Sequence, residues 1–173
     1  MSQFFRPTQR HQRMVCFDDG TDRFQMRAAG IALRNGRVLV QNVSGDPVSS
    51  IPGGRIDQNE SSTDTVIREM QEEFGLTVTL GPLAFVIESF FPEKLRLFHE
   101  VGFYYPILVP ELFPYHDSEV CHRFQEGPVE IEYRWVEATP AALASRQLVP
   151  NPLRSRLGAL PASPVHIVDG RAG

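Results

Sequence analysis

The stretch that decides the fold of this chain is GRIDQNE at residues 54–60, followed after seven residues by REMQEEFGL at residues 68–76. The second half favours a helix over about Ser61–Phe74, because the serine can cap its N-terminus and Gly75 can end it in the left-handed conformation. Asp64 lies three residues after the cap, where a capping box places an acid. The stretch therefore predicts a loop that leads into one well-capped helix.

This helix separates into two faces when its residues are placed at 100° intervals. Glu69, Glu72 and Glu73 share an arc about 100° wide, so the three carboxylates point in nearly the same direction. A different stripe has the spacing of a surface that faces a core. It consists of Thr63, Val66, Ile67, Met70 and Phe74.

The three glutamates are unfavourable for the helix itself. Like charges at i and i+4 destabilise a helix by about 0.2–0.5 kcal/mol per pair, and the C-terminal end of the helix dipole also disfavours negative charge. Arg68 can offset part of this charge by reaching Glu72 or Glu60. A bound divalent cation would make the cluster favourable, because Mg²⁺ binds carboxylates together with waters and substrate phosphates. Alone, however, an E-x-x-E-E pattern is more often a solvated acidic face.

The wider pattern is far more specific than the triplet. Seven fixed residues, each with a frequency of ~7%, coincide by chance at roughly 10⁻⁸ per starting point. The spacing resembles the Nudix box of the Nudix hydrolase superfamily at every defining position. Those positions are Gly54, Glu60, Arg68, Glu69, Met70, Glu72, Glu73, Gly75 and Leu76.

The surroundings of the box resemble the same family. A hairpin precedes it, Pro52-Gly53-Gly54 leads into it, and Tyr133–Val136 is similar to the family's late strand. The resemblance implies an α+β fold, an α/β/α sandwich around a mixed, largely antiparallel sheet. It also implies Mg²⁺-dependent hydrolysis of a phosphoanhydride bond, by attack of water at phosphorus, in a nucleoside diphosphate linked to another moiety.

The resemblance also assigns roles to the residues of the box. Glu72 and Glu73 are implied to coordinate Mg²⁺ or Mn²⁺, and Glu69 to join them as a ligand or to help deprotonate the attacking water. The carbonyl of Gly54 is a further implied ligand. Arg68 belongs to the catalytic set and also forms, with Glu60, a structural brace between the loop and the helix.

Candidates outside the box are less constrained. The general base is expected among acids that follow the helix, and His99 is a candidate phosphate contact. Each of these residues alone is more often a solvated or structural residue. The candidate bases are Glu100, Glu119, Glu126 and Glu130; the candidate phosphate-binding cations are Arg27, Arg55 and Arg96; and the aromatic residues that could stack on a base are Phe90, Phe91, Phe98, Phe103, Tyr104 and Tyr105.

The rest of the chain predicts strands, turns and two short helical segments. Asn35-Gly36 between apolar runs is a strong hairpin signal. Pro110–Pro128 is expected to be a long loop, a helix capped by Thr139 to run from Pro140 to about Gln147, and a second helical piece to lie near Leu153–Leu160. The predicted strands are Phe24–Leu33, Arg37–Asn42, Leu83–Phe91, Leu97–Val109, Val129–Glu137 and Val165–Val168.

The composition limits the other classes of function. With 173 residues, 42% of them apolar, we expect one domain over residues 1–173, in which residues 1–22 form a flexible or strand-forming extension. A net charge of −4 argues against a basic stripe for DNA. Cys16 and Cys121 form no CxxC pair, which favours a reducing cytoplasm. No apolar run reaches the roughly 18 residues of a membrane span. The expected partners are a small nucleotide derivative and, in a homodimer, a second copy of the chain.

Two other readings of the box remain open. A non-catalytic Nudix fold that senses a ligand would tolerate loss of the acidic triplet, whereas here the triplet is complete. An isomerase of isoprenoid diphosphates, a chemistry known on this fold, would need a reactive cysteine near the site. RNA cap removal is disfavoured by the acidic balance of the chain.

Overall fold

The computed structural model describes residues 13–93, 95–116 and 119–170. Within these residues the secondary structure is dominated by strands and includes two α-helices. The elements are β1 (Cys16–Asp19), β2 (Asp22–Arg34), β3 (Arg37–Val43), β4 (Gly53–Arg55), α1 (Ser62–Phe74), β5 (Thr79–Leu80), β6 (Phe85–Glu93), β7 (Arg96–Leu108), β8 (Val120–Glu126), β9 (Val129–Glu137), α2 (Pro140–Ser145), a 3₁₀ helix (Asn151–Ser155) and β10 (Val165–Asp169).

The strands form one mixed sheet. Its order is β10-β6-β7-β2-β3-β9-β8, with β1 and β4 paired to β2 and β5 paired to β7. β2 runs parallel to β7, and β10 runs parallel to β6. The other strand pairs are antiparallel, which confirms the predicted mixed, largely antiparallel sheet.

The hairpin at Asn35-Gly36 shows how local sequence sets this topology. Both residues have positive φ angles, 49° and 72°, as a two-residue turn between twisted strands requires. The turn reverses the chain from β2 into β3, so Leu33 lies opposite Val38.

A separate core lies on each face of the sheet. On one face, Val66 and Met70 of α1 pack in a cluster that includes Leu39 and Trp135. On the other face, residues of α2 and the segment after it pack against the sheet. This second cluster includes Ile31, Phe85, Ile87, Leu143, Leu148, Leu153 and Leu157. Elements therefore cover both faces, as the α/β/α expectation requires.

The buried arc of α1 differs from the predicted apolar stripe. Thr63 and Ile67 are exposed, whereas Thr65 and Glu73 are buried. The helix packs against the short strand β4 as well as against β2. As a result, the buried side of the helix includes Glu73 and excludes Ile67. The prediction that Ile67 faces the core was therefore wrong, and the acidic arc is partly enclosed instead of fully solvated.

The predicted long loop Pro110–Pro128 was also wrong, because it contains strand β8. This strand pairs antiparallel with β9 around the turn at Gly127, whose φ is 56°. β8 lies at the edge of the sheet and carries many polar side chains, so its sequence lacks the apolar alternation of an inner strand.

The predicted ends of the chain differ from the structure in detail. Thr139 caps α2 as expected, but the helix ends at Ser145, before Gln147. The segment expected to be helical near Leu153–Leu160 is a 3₁₀ helix at Asn151–Ser155. Of the predicted extension at residues 1–22, residues 1–12 lie outside the described residues, and β1 forms a hairpin with β2. Among the helices described, none has the length and apolar character to cross a bilayer.

Candidate active site

Two adjacent glycines let the loop before α1 lie directly against its neighbours. A Cβ at Gly53 would lie 2.2 Å from the carbonyl oxygen of Ala28, and the φ of Gly53 is 149°. A Cβ at Gly54 would lie 2.1 Å from Oε1 of Glu69. Real Cβ atoms do not approach so closely, so Gly53, which faces backbone atoms, requires glycine, whereas a side chain at Gly54 would displace the Glu69 carboxylate. The Gly54 contact places the Glu69 carboxylate on the backbone of β4.

Arg68 connects the loop, the helix and two of the helix glutamates. Its Nε and Nη2 donate to Oε1 and Oε2 of Glu60 at 2.8 and 2.9 Å, a bidentate pair. Its Nη1 donates to Glu69 at 2.7 Å and to Glu72 at 3.2 Å. Nη2 also donates to the carbonyl of Arg55 at 3.2 Å. The arginine therefore compensates the negative charge of Glu60, Glu69 and Glu72, as the sequence indicated for Glu60 and Glu72.

Glu60 is held in its ionised form by this network. Burial raises the pKa of its carboxyl group, but hydrogen bonds from Arg68, from Thr65 and from the backbone of Asp57 outweigh this and lower the pKa to about 2. The Thr65 hydroxyl donates at 2.8 Å and the Asp57 amide at 3.2 Å. The pair thus ties the start of the box to α1.

The helix glutamates differ in their exposure. The side chain of Glu72 is 47% exposed, that of Glu69 is 14% exposed, and Glu73 is 7% exposed. Burial raises the pKa of Glu69, with Arg68 opposing the shift. Burial and the nearby Glu69 raise the pKa of Glu73 to about 8. Oε2 of Glu73 is buried and makes no hydrogen bond within the described part of the chain.

These carboxylates meet the chemical requirements of a hard divalent cation. Within the described residues, no group of three or more aspartate, glutamate, histidine or cysteine side chains is positioned to hold a metal ion. Mg²⁺ does not need one, since it usually takes one or two carboxylates and completes its shell with waters and substrate phosphates. A buried carboxylate oxygen without a partner is costly, and a cation at Glu73 would satisfy it. The donor set therefore fits Mg²⁺.

The glutamates open onto a cleft of about 430 Å³. Of the candidate bases, Glu100 and Glu126 line this cleft together with Glu69, Glu72 and Glu73. Glu100 is nearly buried and accepts a hydrogen bond from Nε2 of Gln25. Glu130 and the exposed Glu119 are not part of the cleft lining. Oε1 of Glu130 instead lies 3.4 Å from Nε of Arg123.

Some of the candidate phosphate-binding arginines also line the cleft, and one does not. Arg27 and Arg55 line the cleft. Nη2 of Arg27 donates to the carbonyls of Ile51 and Gly53 at 2.8 and 3.1 Å, so this arginine also fixes the loop of the box. Arg96 lies elsewhere, in an ion pair with Asp18 at the β1–β2 hairpin.

The aromatic candidates are distributed over several environments. Tyr104 and Tyr105 are buried in the two cores, and Tyr104 also borders a second compartment next to the cleft. Phe98 lines the cleft and stacks on Phe91, with ring centroids 5.1 Å apart. The ring of His99 stacks instead on the neighbouring Phe90 ring.

A second compartment of about 620 Å³ adjoins the cleft. Phe90 and Phe91 form part of its wall, and Arg27 and Glu100 line both spaces. The two spaces therefore form a continuous surface from the carboxylates to the aromatic wall.

Comparison with known families agrees with this geometry. A family model described as "NUDIX domain" matches residues 24–151. This chain belongs to the NUDIX domain family. It is accordingly a Nudix hydrolase, a pyrophosphohydrolase, as the sequence predicted. No curated protein matches the chain.

Solved structures similar to this Nudix hydrolase are distant in sequence. The E. coli ORF135 protein is 20% identical, with 76% of this chain and 86% of that chain covered and a TM-score of 0.47. A NUDIX hydrolase from Nitrosomonas europaea is 17% identical, with 84% and 79% covered and a TM-score of 0.49. An ADP-ribose pyrophosphatase from Streptococcus suis is 16% identical, with 84% and 98% covered and a TM-score of 0.45.

Two residues near Glu73 were missed by the sequence reasoning. Nε2 of His122 in β8 lies 2.8 Å from the backbone carbonyl oxygen of Glu73, and burial together with the negative charge of Glu73 raises the pKa of Tyr133. His122 was hidden because β8 was taken for a loop. Tyr133 was detectable, because it alternates in phase with the core residues Ile131 and Trp135.

Proposed function

We propose that this Nudix hydrolase cleaves a phosphoanhydride bond in a nucleoside diphosphate linked to another moiety, with Mg²⁺ bound at the glutamates of α1 and Mn²⁺ as a substitute. The observation that carries the proposal is the buried, unbonded Oε2 of Glu73. It lies beside Glu69 at a cleft that also contains Arg27. The cation would compensate the negative charge of Glu69 and Glu73, and the negative diphosphate would pair with Arg27.

The residues that would hold the cation are Glu69, Glu72 and Glu73, with the Gly54 carbonyl as a further ligand. When bound, the cation neutralises the diphosphate and lowers the pKa of a coordinated water. Arg27 contributes positive charge in the cleft for the diphosphate. Arg68 keeps the outer glutamates in place, since its guanidinium is already bonded to Glu60, Glu69 and Glu72.

Proton removal from the attacking water is assigned to an acid that faces the cleft. Glu100 and Glu126 meet this condition, whereas Glu130 does not. The Gln25 amide fixes the orientation of Glu100 by its hydrogen bond. The organic part of the substrate would lie in the adjoining compartment, against Phe90 and Phe91, because aromatic faces stack well on bases.

The positions of the two cysteines argue against the isomerase alternative. Neither Cys16 nor Cys121 lines the cleft. The thiol of Cys121 donates to the carbonyl of Tyr133 at 3.3 Å, and burial raises its pKa to about 11. A thiol of this kind is a poor nucleophile or acid–base group near neutral pH.

A screen of diphosphate compounds tests the proposal. The protein is incubated with Mg²⁺ and with nucleoside triphosphates, ADP-ribose, sugar nucleotides and dinucleotides. Phosphate is measured after a coupled inorganic pyrophosphatase for the triphosphates and after a coupled phosphatase for the other classes. We expect hydrolysis of at least one class, loss of turnover in Glu73→Gln, and retained turnover in the matched control Glu130→Gln. Glu100→Gln and Glu126→Gln then identify the base. Absence of hydrolysis from every class would favour the ligand-sensor alternative.

A further inference from the structure

A row of polar side chains crosses one wall of the second compartment. Asp169 of β10 lies opposite Ser89 of β6. Ser89 in turn lies opposite Glu100 of β7, and Glu100 lies opposite Gln25 of β2. Register partners in neighbouring strands point to the same face of a sheet, and all four residues line the compartment. These four residues, called the polar row below, therefore present polar atoms from four strands along one line.

The polar row interrupts the apolar face of β6 and its neighbours. On one side of the row, Ile87 of β6 lies opposite Ile167 of β10, and both pack in the core with α2. On the other side, Phe91 of β6 stacks on Phe98 of β7. Between them Ser89 is only 6% exposed. Polar side chains at nearly buried positions are unfavourable without partners, so packing alone does not account for the row.

Hydrogen bonds within the protein use only half of the polar row. Nε2 of Gln25 donates to the carboxylate of Glu100. The side chains of Ser89 and Asp169 have no hydrogen bond or ion pair with the residues that the structure describes. The row therefore offers a hydroxyl group and a carboxylate that a ligand in the compartment can use.

The end of β10 fixes Asp169 at the compartment. β10 pairs with β6 along its whole length, Val165–Asp169, and Gly170 follows at once. The φ of Gly170 is 78°, and a Cβ there would lie 2.2 Å from the carbonyl oxygen of Phe90. The position therefore requires glycine, which lets the backbone after Asp169 lie directly against β6.

The charge of the compartment restricts what the row can bind. The charged residues that line it are Arg27, Asp46, Glu93, Glu100 and Asp169. Three of them also line the cleft, and the two that line the compartment alone, Asp46 and Asp169, are both acidic. Carboxylates accept hydrogen bonds from hydroxyl groups and repel phosphate. A sugar with free hydroxyl groups suits this surface, whereas a phosphorylated sugar does not.

We propose that the polar row binds the ribose of the substrate, and that Ser89 and Asp169 select a free 2′-hydroxyl over a 2′-deoxy or 2′-phosphorylated ribose. The inference rests on the proposed function, which places the organic part of the substrate in this compartment. Phe91 lies beside the row on the same face, where its ring can stack on the attached base. In nucleotide-binding folds an acidic residue hydrogen-bonds to the ribose 2′-hydroxyl, whereas a 2′-phosphate requires an arginine.

The test compares substrates that differ at the 2′ position of one ribose. The pairs, one from each class of the screen, are ATP and 2′-deoxy-ATP, UDP-glucose and its 2′-deoxy analogue, ADP-ribose and its 2′-phosphate, and NADH and NADPH. In the class that the wild type hydrolyses with Mg²⁺, kcat/KM should be at least about tenfold higher for the member with the free hydroxyl, because the other member leaves buried polar groups unpaired.

Two variants of the row and one control assign this preference. Ser89→Ala and Asp169→Asn should each raise the KM of the free-hydroxyl member about tenfold with kcat unchanged, and so reduce the preference. Asp46→Asn is the matched control, since it removes a carboxylate of the same compartment that lies outside the row. It should change KM less than about twofold. Glu100 is left unaltered, because it is also a candidate base.

The outcomes separate this inference from the proposed function. Hydrolysis of both members of a pair at equal kcat/KM, or an unchanged preference in Ser89→Ala and Asp169→Asn, would overturn the inference while the hydrolase function stands. An equal loss in Asp46→Asn would assign the preference to overall charge and would also overturn it. So would a lower melting temperature with reduced kcat for both members, which would make the row structural. If the wild type hydrolyses none of the compounds, the proposed function and the inference fail together.

Discussion

Replacement of Glu73 by glutamine should stabilise the metal-free protein while it removes the response to Mg²⁺. The Glu73 carboxyl titrates near pH 8 in the folded chain, because of burial and of the nearby Glu69, and near 4.5 when it is unperturbed. Between these two pH values the folded chain retains a proton that the unfolded chain releases. Stability therefore falls as pH rises from 4.5 to 8, and the full penalty is present above pH 8.

The size of the effect follows from these two pKa values. At pH 7.5 the penalty is about 4 kcal/mol by linkage. Relaxation around the glutamine and its own need for hydrogen bonds will reduce the gain, so we expect about 2–3 kcal/mol. In a domain of this size 1 kcal/mol shifts the melting temperature by roughly 2–4 °C. The Glu73→Gln protein should therefore melt about 4–12 °C above the wild type in EDTA.

The assay is thermal unfolding of both proteins in EDTA from pH 5 to 8, repeated with Mg²⁺. In EDTA the difference between the two proteins should grow as the pH rises. Mg²⁺ at about a hundred times its dissociation constant should stabilise the wild type by about 2.7 kcal/mol and the variant by much less. A metal-free variant that is less stable than the wild type at pH 7.5, or an equal response of both proteins to Mg²⁺, would refute the reasoning.

Three further predictions concern the loop and its brace. Gly54→Ala should displace the Glu69 carboxylate, since the alanine Cβ would lie 2.1 Å from Oε1 of Glu69. It should therefore weaken Mn²⁺ binding at least about tenfold in an EPR titration, and unchanged binding would contradict this. Glu60→Gln should lower the free energy of unfolding by about 2 kcal/mol at pH 7 after allowance for solvent screening. Because the pKa of Glu60 is lowered to about 2, the loss of unfolding free energy in Glu60→Gln, measured in urea titrations, should vanish as pH falls from 4.5 to 2. A loss that persists at pH 2 would rule out the ion pair as its cause. Arg68→Lys should not restore the brace, because an ammonium group cannot reproduce the bidentate contact; a melting temperature equal to that of wild type would show that charge alone is sufficient.

The sequence could predict those parts of the fold that depend on local rules. The cap at Ser61, the left-handed end at Gly75 and the hairpin at Asn35-Gly36 are all present as expected. Each is fixed by interactions within a few residues, so a short stretch of sequence contains the information needed. The extent of strand β9 was also predicted correctly, because its apolar residues alternate around Trp135.

The parts that were missed depend on contacts between distant segments. Strand β8 was taken for a loop, because an edge strand needs few apolar residues. The rotation of α1 that exposes Ile67 and buries Glu73 depends on its contact with β4, which no helical pattern contains. For the site, the box predicted the group of glutamates and the reach of Arg68 to Glu60, but not which glutamate is most enclosed.

That difference in enclosure explains how the chain tolerates four carboxylates around one loop and one helix turn. Arg68 bonds to Glu60, Glu69 and Glu72, so the protein's own cation satisfies the carboxylates on the loop side. Glu73 is the most buried of the helix glutamates and has an oxygen that the described residues leave unbonded. The residue that destabilises the metal-free helix most is therefore also the one with the greatest need for an external cation. Stability without metal and affinity for metal should consequently change in opposite directions when Glu73 is altered, whereas changes at Glu60 should mainly lower stability.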